Sequence, residues 1–165
     1  MPDLIVPTLA ISDVSVYYGH KCAVENVSFN AHSGHIYAII GNNGCGKTSL
    51  MKAVMNLTGH NGICRLNGKT LEKMSVKKRA RLISYIPQKT GINISMTVRE
   101  VCLLGFNPHL RIFESYSSNM RQQVDKAIDS VGLAGLYNTD FLTLSEGQKQ
   151  LCILARTPTS RRKSM

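Results

Sequence analysis

Residues 35–50 read HIYAIIGNNGCGKTSL, and the fold turns on them. His35 to Ile40 is a short apolar run of the kind expected for a strand buried on both faces. It leads into Gly41, Gly46, Lys47 and Thr48, which satisfy the pattern G-x-x-x-x-G-K-[ST]. The following SLMKAVMNL repeats Leu50, Val54 and Leu57 at helical spacing. Strand, glycine loop and helix in that order is the context a phosphate-binding loop requires. Glycine lets the backbone wrap closely around phosphates, and successive N–H groups then converge on their oxygens. A helix starting near Lys47 or Thr48 adds its positive end. Lys47 is placed to reach the β and γ phosphates and Thr48 to ligate Mg²⁺, so a nucleoside triphosphate with magnesium is the expected ligand. Asn42, Asn43, Gly44 and Cys45 lie within the loop and Ser49 directly follows it, so all five count as nucleotide-site positions. Cys45 reads as a tolerated small side chain and not a redox group. The loop alone leaves the base undetermined.

On the N-terminal side, residues 9–18 and 23–30 are β-prone, with GHKC between them. On the C-terminal side, residues 59–68 hold a short strand ending in the turn pair Asn67-Gly68. LEKMSVKKRARL is helix-competent, with Ser75 a suitable cap for the part that begins near Val76. ISYIP, residues 83–87, is β-prone and stopped by Pro87. From Thr97 the pattern becomes helical. Thr97 with Glu100 fits a capping box, Val124, Ala127, Ile128 and Val131 share a helix face, and a third helical stretch starts at Ser145. The chain therefore divides into residues 1–95, β-rich and carrying the loop, residues 96–156, a small helical subdomain, and a polar, basic tail at 157–165.

The 165 residues suffice for one domain with a real core, and 43% hydrophobic with 18% charged residues is the composition of a folded chain. A formal charge of +10 attracts anions without choosing among nucleic acid, anionic membrane and nucleotide phosphates. Lys73, Lys77, Lys78, Arg79 and Arg81 read as a solvated helix surface. Arg161, Arg162 and Lys163 read as a frayed terminus, so no nucleic-acid partner is expected. Five scattered cysteines without a Cys-x-x-Cys pair argue for a reducing compartment and against a disulfide scaffold or a structural zinc site. No signal peptide and no run of about 18 apolar residues is found, so any membrane role comes through a partner.

Hydrolysis needs more than the loop: a carboxylate for Mg²⁺, a base or water-positioner, and charge neutralisation. No apolar strand ending in Asp-Glu occurs, and Asp13, Asp125, Asp129 and Asp140 read as non-strand or helix-surface residues.

GNNGCGKTSL, YIPQ ending at Gln88, MTVREVCLLGFNPH at 96–109 and LSEGQKQLCILAR at 144–156 follow one another in an order that resembles the nucleotide-binding subunit of ABC transporters. More narrowly, it resembles the subfamily that powers bacterial and archaeal uptake of iron–siderophore, haem or cobalamin complexes. The resemblance spans roughly residues 9–156 and implies an α/β fold: a P-loop NTPase core of ABC ATPase type, incomplete, with a small helical subdomain. It implies ATP and Mg²⁺ as ligands. Tyr18 matches the aromatic that stacks on adenine, the alternative being a strand-end tyrosine of the core. Gln88 matches the glutamine that senses Mg²⁺ and the attacking water, which makes Thr48 and Gln88 the metal-site pair. Ser145, Gly147 and Gln148 match the signature helix start that contacts ATP held by a second subunit; Glu146 stands where that motif has glycine, and it either points away as a favourable first-turn acid or repels the incoming nucleotide.

The resemblance further implies a dimer of ATP-binding subunits beneath transmembrane permease subunits, cytoplasmic and peripheral to the membrane. The family's magnesium aspartate, catalytic glutamate and switch histidine have no match here. The chain therefore reads as truncated and, by itself, as an inactive ATPase, with the tail TPTSRRKSM resembling foreign or out-of-frame sequence. The alternatives are a non-transport ATP-binding protein and an unstable remnant. A P-loop kinase is weakest, having no use for the LSEGQ helix start.

Overall fold

The computed structural model describes residues 8–87 and 91–157, which form two compact units, 1–75 and 76–165. In the first, β1 (Leu9–Tyr18) and β2 (Lys21–Ala31) make a long hairpin, followed by α1 (Lys47–Val54), β3 (Asn61–Leu66) and β4 (Lys69–Thr70). The described strands make one antiparallel sheet in the order β2-β1-β3-β4. Ile11, Val14, Val16, Cys64 and Leu71 are buried with Leu50, Ala53 and Val54 of α1, which packs on β1 and β2. The β1/β2 ladder is interrupted where Asp13 and Asn26 adopt positive φ, of 51° and 46°. Side chains replace the lost ladder bonds there: Asp13 N–H donates to Ser28 Oγ at 2.8 Å and Asn26 N–H to Ser15 Oγ at 2.9 Å. Asp13 thus lies inside a strand, at a bulge, contrary to the sequence reading. Asn67 and Gly68, with φ of 48° and 74°, turn β3 into β4 as their sequence requires.

Three sequence expectations fail here. No strand forms at 35–40; the segment is extended and exposed, with Ile36 and Ile40 at 101% and 91% accessibility. A strand needs neighbours to receive its N–H and C=O groups, and among the described residues none pairs with this one. ISYIP at 83–87 is non-strand for the same reason. Finally, Leu57 is not on the buried helix face, because Asn56 takes φ 49° and ends the helix before it.

In the second unit, α2 (Val76–Leu82), α3 (Val98–Leu103), α4 (Ser118–Ser130) and α5 (Glu146–Arg156) are joined by 3₁₀ turns at Leu104–His109 and Phe141–Thr143. Val98, Val101, Cys102, Val124, Ile128 and Ile153 belong to the core in which α3, α4 and α5 meet. The basic residues of α2 are not a uniformly solvated face. Arg79 is buried, and Lys77 and Arg81 donate to the carbonyls of Leu110 and Pro108.

The start of α3 has every orphan N–H satisfied. Thr97 N–H donates to Glu100 Oε2 at 2.7 Å, Val98 N–H to Thr139 O at 3.0 Å, Arg99 N–H to Tyr137 O at 3.0 Å, and Glu100 N–H to Thr97 Oγ1 at 3.2 Å. Thr97→Ala should therefore cost about 1 kcal/mol in urea unfolding at neutral pH. Donation from the Thr97 N–H and hydroxyl holds the Glu100 carboxyl below its ordinary 4.5. A lowered folded-state pKa means this contribution is complete above 4.5 and is lost as pH falls through the folded value. The gap between wild type and variant should narrow when the titration is repeated below pH 4.5; an unchanged gap would place the loss in packing.

Candidate functional site

The loop 41–48 runs into α1, whose N-cap is Gly46 with φ 95° and ψ 0°. Leu50 N–H donates back to Gly46 O at 2.9 Å, and Cys45 N–H to Asn42 O at 3.3 Å, so the loop is a closed turn feeding the helix. Glycine is required at 46 on two counts. Its φ lies in the region side chains avoid, and a Cβ there would stand 2.1 Å from the backbone oxygen of Ala23 in β2. The Lys47 ammonium donates to Gly41 O and Asn42 O, both at 2.8 Å, and lies 3.8 Å from Cys45 Sγ. Asn42, Asn43 and Thr48 are exposed, and Ser49 is half-buried. A cavity of about 450 Å³ flanks the loop, bordered by Val24, Val27, Ile40, Gly46 and Lys47, with Glu25 the acidic residue among those described around it.

Tyr18, at the end of β1, is half-exposed and not a core residue. The Ser49 and Thr58 hydroxyls beside it hold its phenol below the usual range. Ser49 and Tyr18, called separately from the sequence, are thereby brought together at the first turn of α1.

In the other unit, Ser145 is the N-cap of α5 and forms a capping box with Gln148. Gln148 N–H donates to Ser145 Oγ at 3.2 Å, and Ser145 N–H to Gln148 Oε1 at 3.0 Å. Glu146 is 86% exposed and pairs with Lys149 at 2.9 Å, one turn away. A Cβ on Gly147 would meet nothing within 4 Å, so no contact among the described residues demands glycine there. Gln88 lies outside the described residues, as does the tail from 158 onward.

The aspartates have structural employment. Asp13 accepts from Ser28, Asp125 pairs with Arg99, Asp129 accepts from Tyr137, and Asp140 caps the 3₁₀ turn at 141–143 while accepting from Ser95. Two contacts had no local sequence signal: the Ala23 carbonyl against Gly46, and Thr58 against Tyr18. Among the described residues no helix is long and apolar enough to cross a membrane.

The family model described as ABC transporter matches residues 24–165. The chain is 30% identical over 152 residues to the manganese transport system ATP-binding protein MntB of Halalkalibacterium halodurans, covering 91% of this chain and 59% of that one. It is 31% identical over 144 residues to the iron(3+)-hydroxamate import ATP-binding protein FhuC of Bacillus subtilis, covering 87% and 54%. It is 34% identical over 145 residues to the hemin import ATP-binding protein HmuV of a Chelativorans species, covering 87% and 54%. The chain thus spans about half the length of the curated relatives it matches. An ATP-binding subunit of an ABC transporter superposes with a TM-score of 0.78 at 21% identity, covering 93% of this chain and 62% of the other, which establishes the fold as the ABC ATPase type.

Proposed function

The chain belongs to the ABC transporter family, and from that premise we propose that it binds Mg²⁺-ATP at residues 41–48 as part of the ATP-binding subunit of an importer for metal-chelate cargo such as iron–siderophore or haem complexes. The observation that carries the nucleotide part is the loop itself. Gly44 and Gly46 take left-handed φ, of 83° and 95°, and Gly46 opens α1. Such a turn aims consecutive N–H groups at one point, and α1 adds its positive end. The donor set fits a triphosphate: backbone N–H groups, the Lys47 ammonium, and the exposed Thr48 hydroxyl for Mg²⁺. When bound, ATP supplies the phosphoryl group whose transfer powers transport in this family. This chain's residues bind and orient it.

Tyr18 offers its exposed ring to adenine beside the phosphate site. Ser145, Gly147 and Gln148 offer a helix N-terminus to the ATP of a second subunit, with Gln88 as the Mg²⁺ and water contact. The subunit would act as a dimer under permease subunits on the inner face of the membrane. Cargo assignment follows the relatives' names, which include manganese as well as iron and haem systems.

A second reading, an ATP binder without turnover, is favoured by Asp13, Asp125, Asp129 and Asp140, each already committed to a structural hydrogen bond. Hydrolysis by the 165-residue chain no faster than a Lys47→Ala control would support it.

Thermal unfolding with millimolar Mg²⁺-ATP tests the binding site, and absence of any protection would overturn it. Within that assay Tyr18→Ala should weaken ATP about 5- to 150-fold, the equivalent of a base stack worth roughly 1–3 kcal/mol. Inorganic triphosphate, lacking a base, should bind both forms alike; equal loss for both ligands would make Tyr18 a support for Ser49 instead.

A further inference from the structure

Away from the nucleotide loop, His60, Cys64 and Glu72 bring one nitrogen, one sulfur and one carboxylate oxygen within 4.8 Å of one another. We propose that these three residues bind a divalent transition-metal ion, with Zn²⁺ the best match to the donors.

The β3–β4 hairpin builds the cluster. His60 directly precedes β3 and Cys64 lies within it, and the folded hairpin brings their ligand atoms together. The Asn67-Gly68 turn brings the chain back, Leu71 N–H donates to Cys64 O at 2.8 Å, and Glu72 Oε1 accepts from Cys64 N–H at 2.8 Å. The cysteine pattern gave no hint of it, because the ligands are one of each type and become adjacent only when the hairpin closes.

Two features prepare the cluster for an ion. The first is His60, whose side chain is 3% exposed. Its Nδ1 lies 3.2 Å from the Thr58 carbonyl and its Nε2 3.0 Å from Glu72 Oε1. A carbonyl only accepts, so Nδ1 carries the hydrogen. That leaves Nε2, which faces Glu72 Oε1, as the ring nitrogen open to a metal. Metal-bound histidines characteristically donate their remaining N–H to a carbonyl in this way. The second is Glu72 Oε2, which is buried and has no hydrogen-bond partner among the described residues, a costly state for a carboxylate oxygen. An ion among the three side chains would take the Nε2 lone pair and give the carboxylate its missing partner.

The donor chemistry selects the ion. Imidazole and thiolate suit Zn²⁺ and disfavour Mg²⁺ or Ca²⁺, and three protein ligands with a fourth position for water is a regular zinc arrangement. Cys64 is fully buried; binding as the thiolate forms a metal–sulfur bond and releases the thiol proton to solvent.

Co²⁺ is the probe, because its thiolate complexes absorb in the near ultraviolet. The full 165-residue chain carrying Cys22→Ser and Cys45→Ser, which removes the exposed thiols, is titrated without nucleotide. The expected result is one equivalent of Co²⁺ with a thiolate-to-metal band, bleached by Zn²⁺ and abolished by Cys64→Ser. His60→Ala and Glu72→Gln should weaken binding by more than about 100-fold, beyond the loss typical for an outer-shell partner. Glu72→Gln retains an acceptor for Cys64 N–H, so it remains decisive if Cys64→Ser fails to fold. Absence of the band, or affinity unchanged in His60→Ala and Glu72→Gln, would overturn the site and leave a His60–Glu72 hydrogen bond of purely structural value.

Discussion

Lys47→Ala should abolish most of the thermal protection given by Mg²⁺-ATP while leaving the nucleotide-free melting temperature nearly unchanged. The ammonium donates to two exposed loop carbonyls, Gly41 O and Asn42 O, which water can satisfy once the side chain is gone. Its loss therefore costs the folded state little. Toward a triphosphate the balance differs, because hydrogen bonds from a cation to phosphate oxygens are charge-assisted and contribute about 1.5–3 kcal/mol each. A decrease in affinity of roughly 10- to 150-fold is expected from calorimetric titration. Equal protection of variant and wild type would show that ATP binds elsewhere.

Gly46→Ala should instead damage the fold. The new methyl would lie 2.1 Å from Ala23 O and 3.0 Å from Val24 Cγ2, and φ 95° is strained for any side chain. Backbone strain of about 1–3 kcal/mol is then joined by a clash with a strand that cannot swing aside as a side chain can. A loss above about 3 kcal/mol in urea unfolding is expected. Gly44→Ala is the control. It shares the positive φ, at 83°, but its Cβ would meet nothing within 4 Å, so only the backbone cost applies. Equal destabilisation by the two substitutions would remove the role assigned to the Ala23 contact.

What could be read from the sequence was what is encoded locally. β1 and β2 were legible as β-prone segments, the turn after β3 as Asn67-Gly68, the start of α3 from a capping box, and that of α5 as a helical stretch beginning at Ser145. The nucleotide loop was legible for the same reason, since its glycines, lysine and threonine are contiguous. HIYAII misled because an apolar run states only that a segment seeks burial, while strand formation depends on partners elsewhere in the fold. Leu57 was misplaced because helical spacing says nothing about a left-handed Asn56. The contacts that escaped altogether join residues far apart in sequence: Ala23 with Gly46, Tyr18 with Thr58, His60 with Glu72.

The bare segment at 35–40 also governs how the protein behaves in the tube. Six β-prone residues with no Asp, Glu, Lys or Arg, and with no strand partner among the described residues, are an adhesive for other copies, and the opposing force is the mutual repulsion of molecules carrying +10. That repulsion reaches about 30 Å in 0.01 M salt and only about 3 Å in 1 M. Colloidal stability thus rests on ionic strength, with dilute buffer keeping copies apart and concentrated salt bringing their sticky segments together.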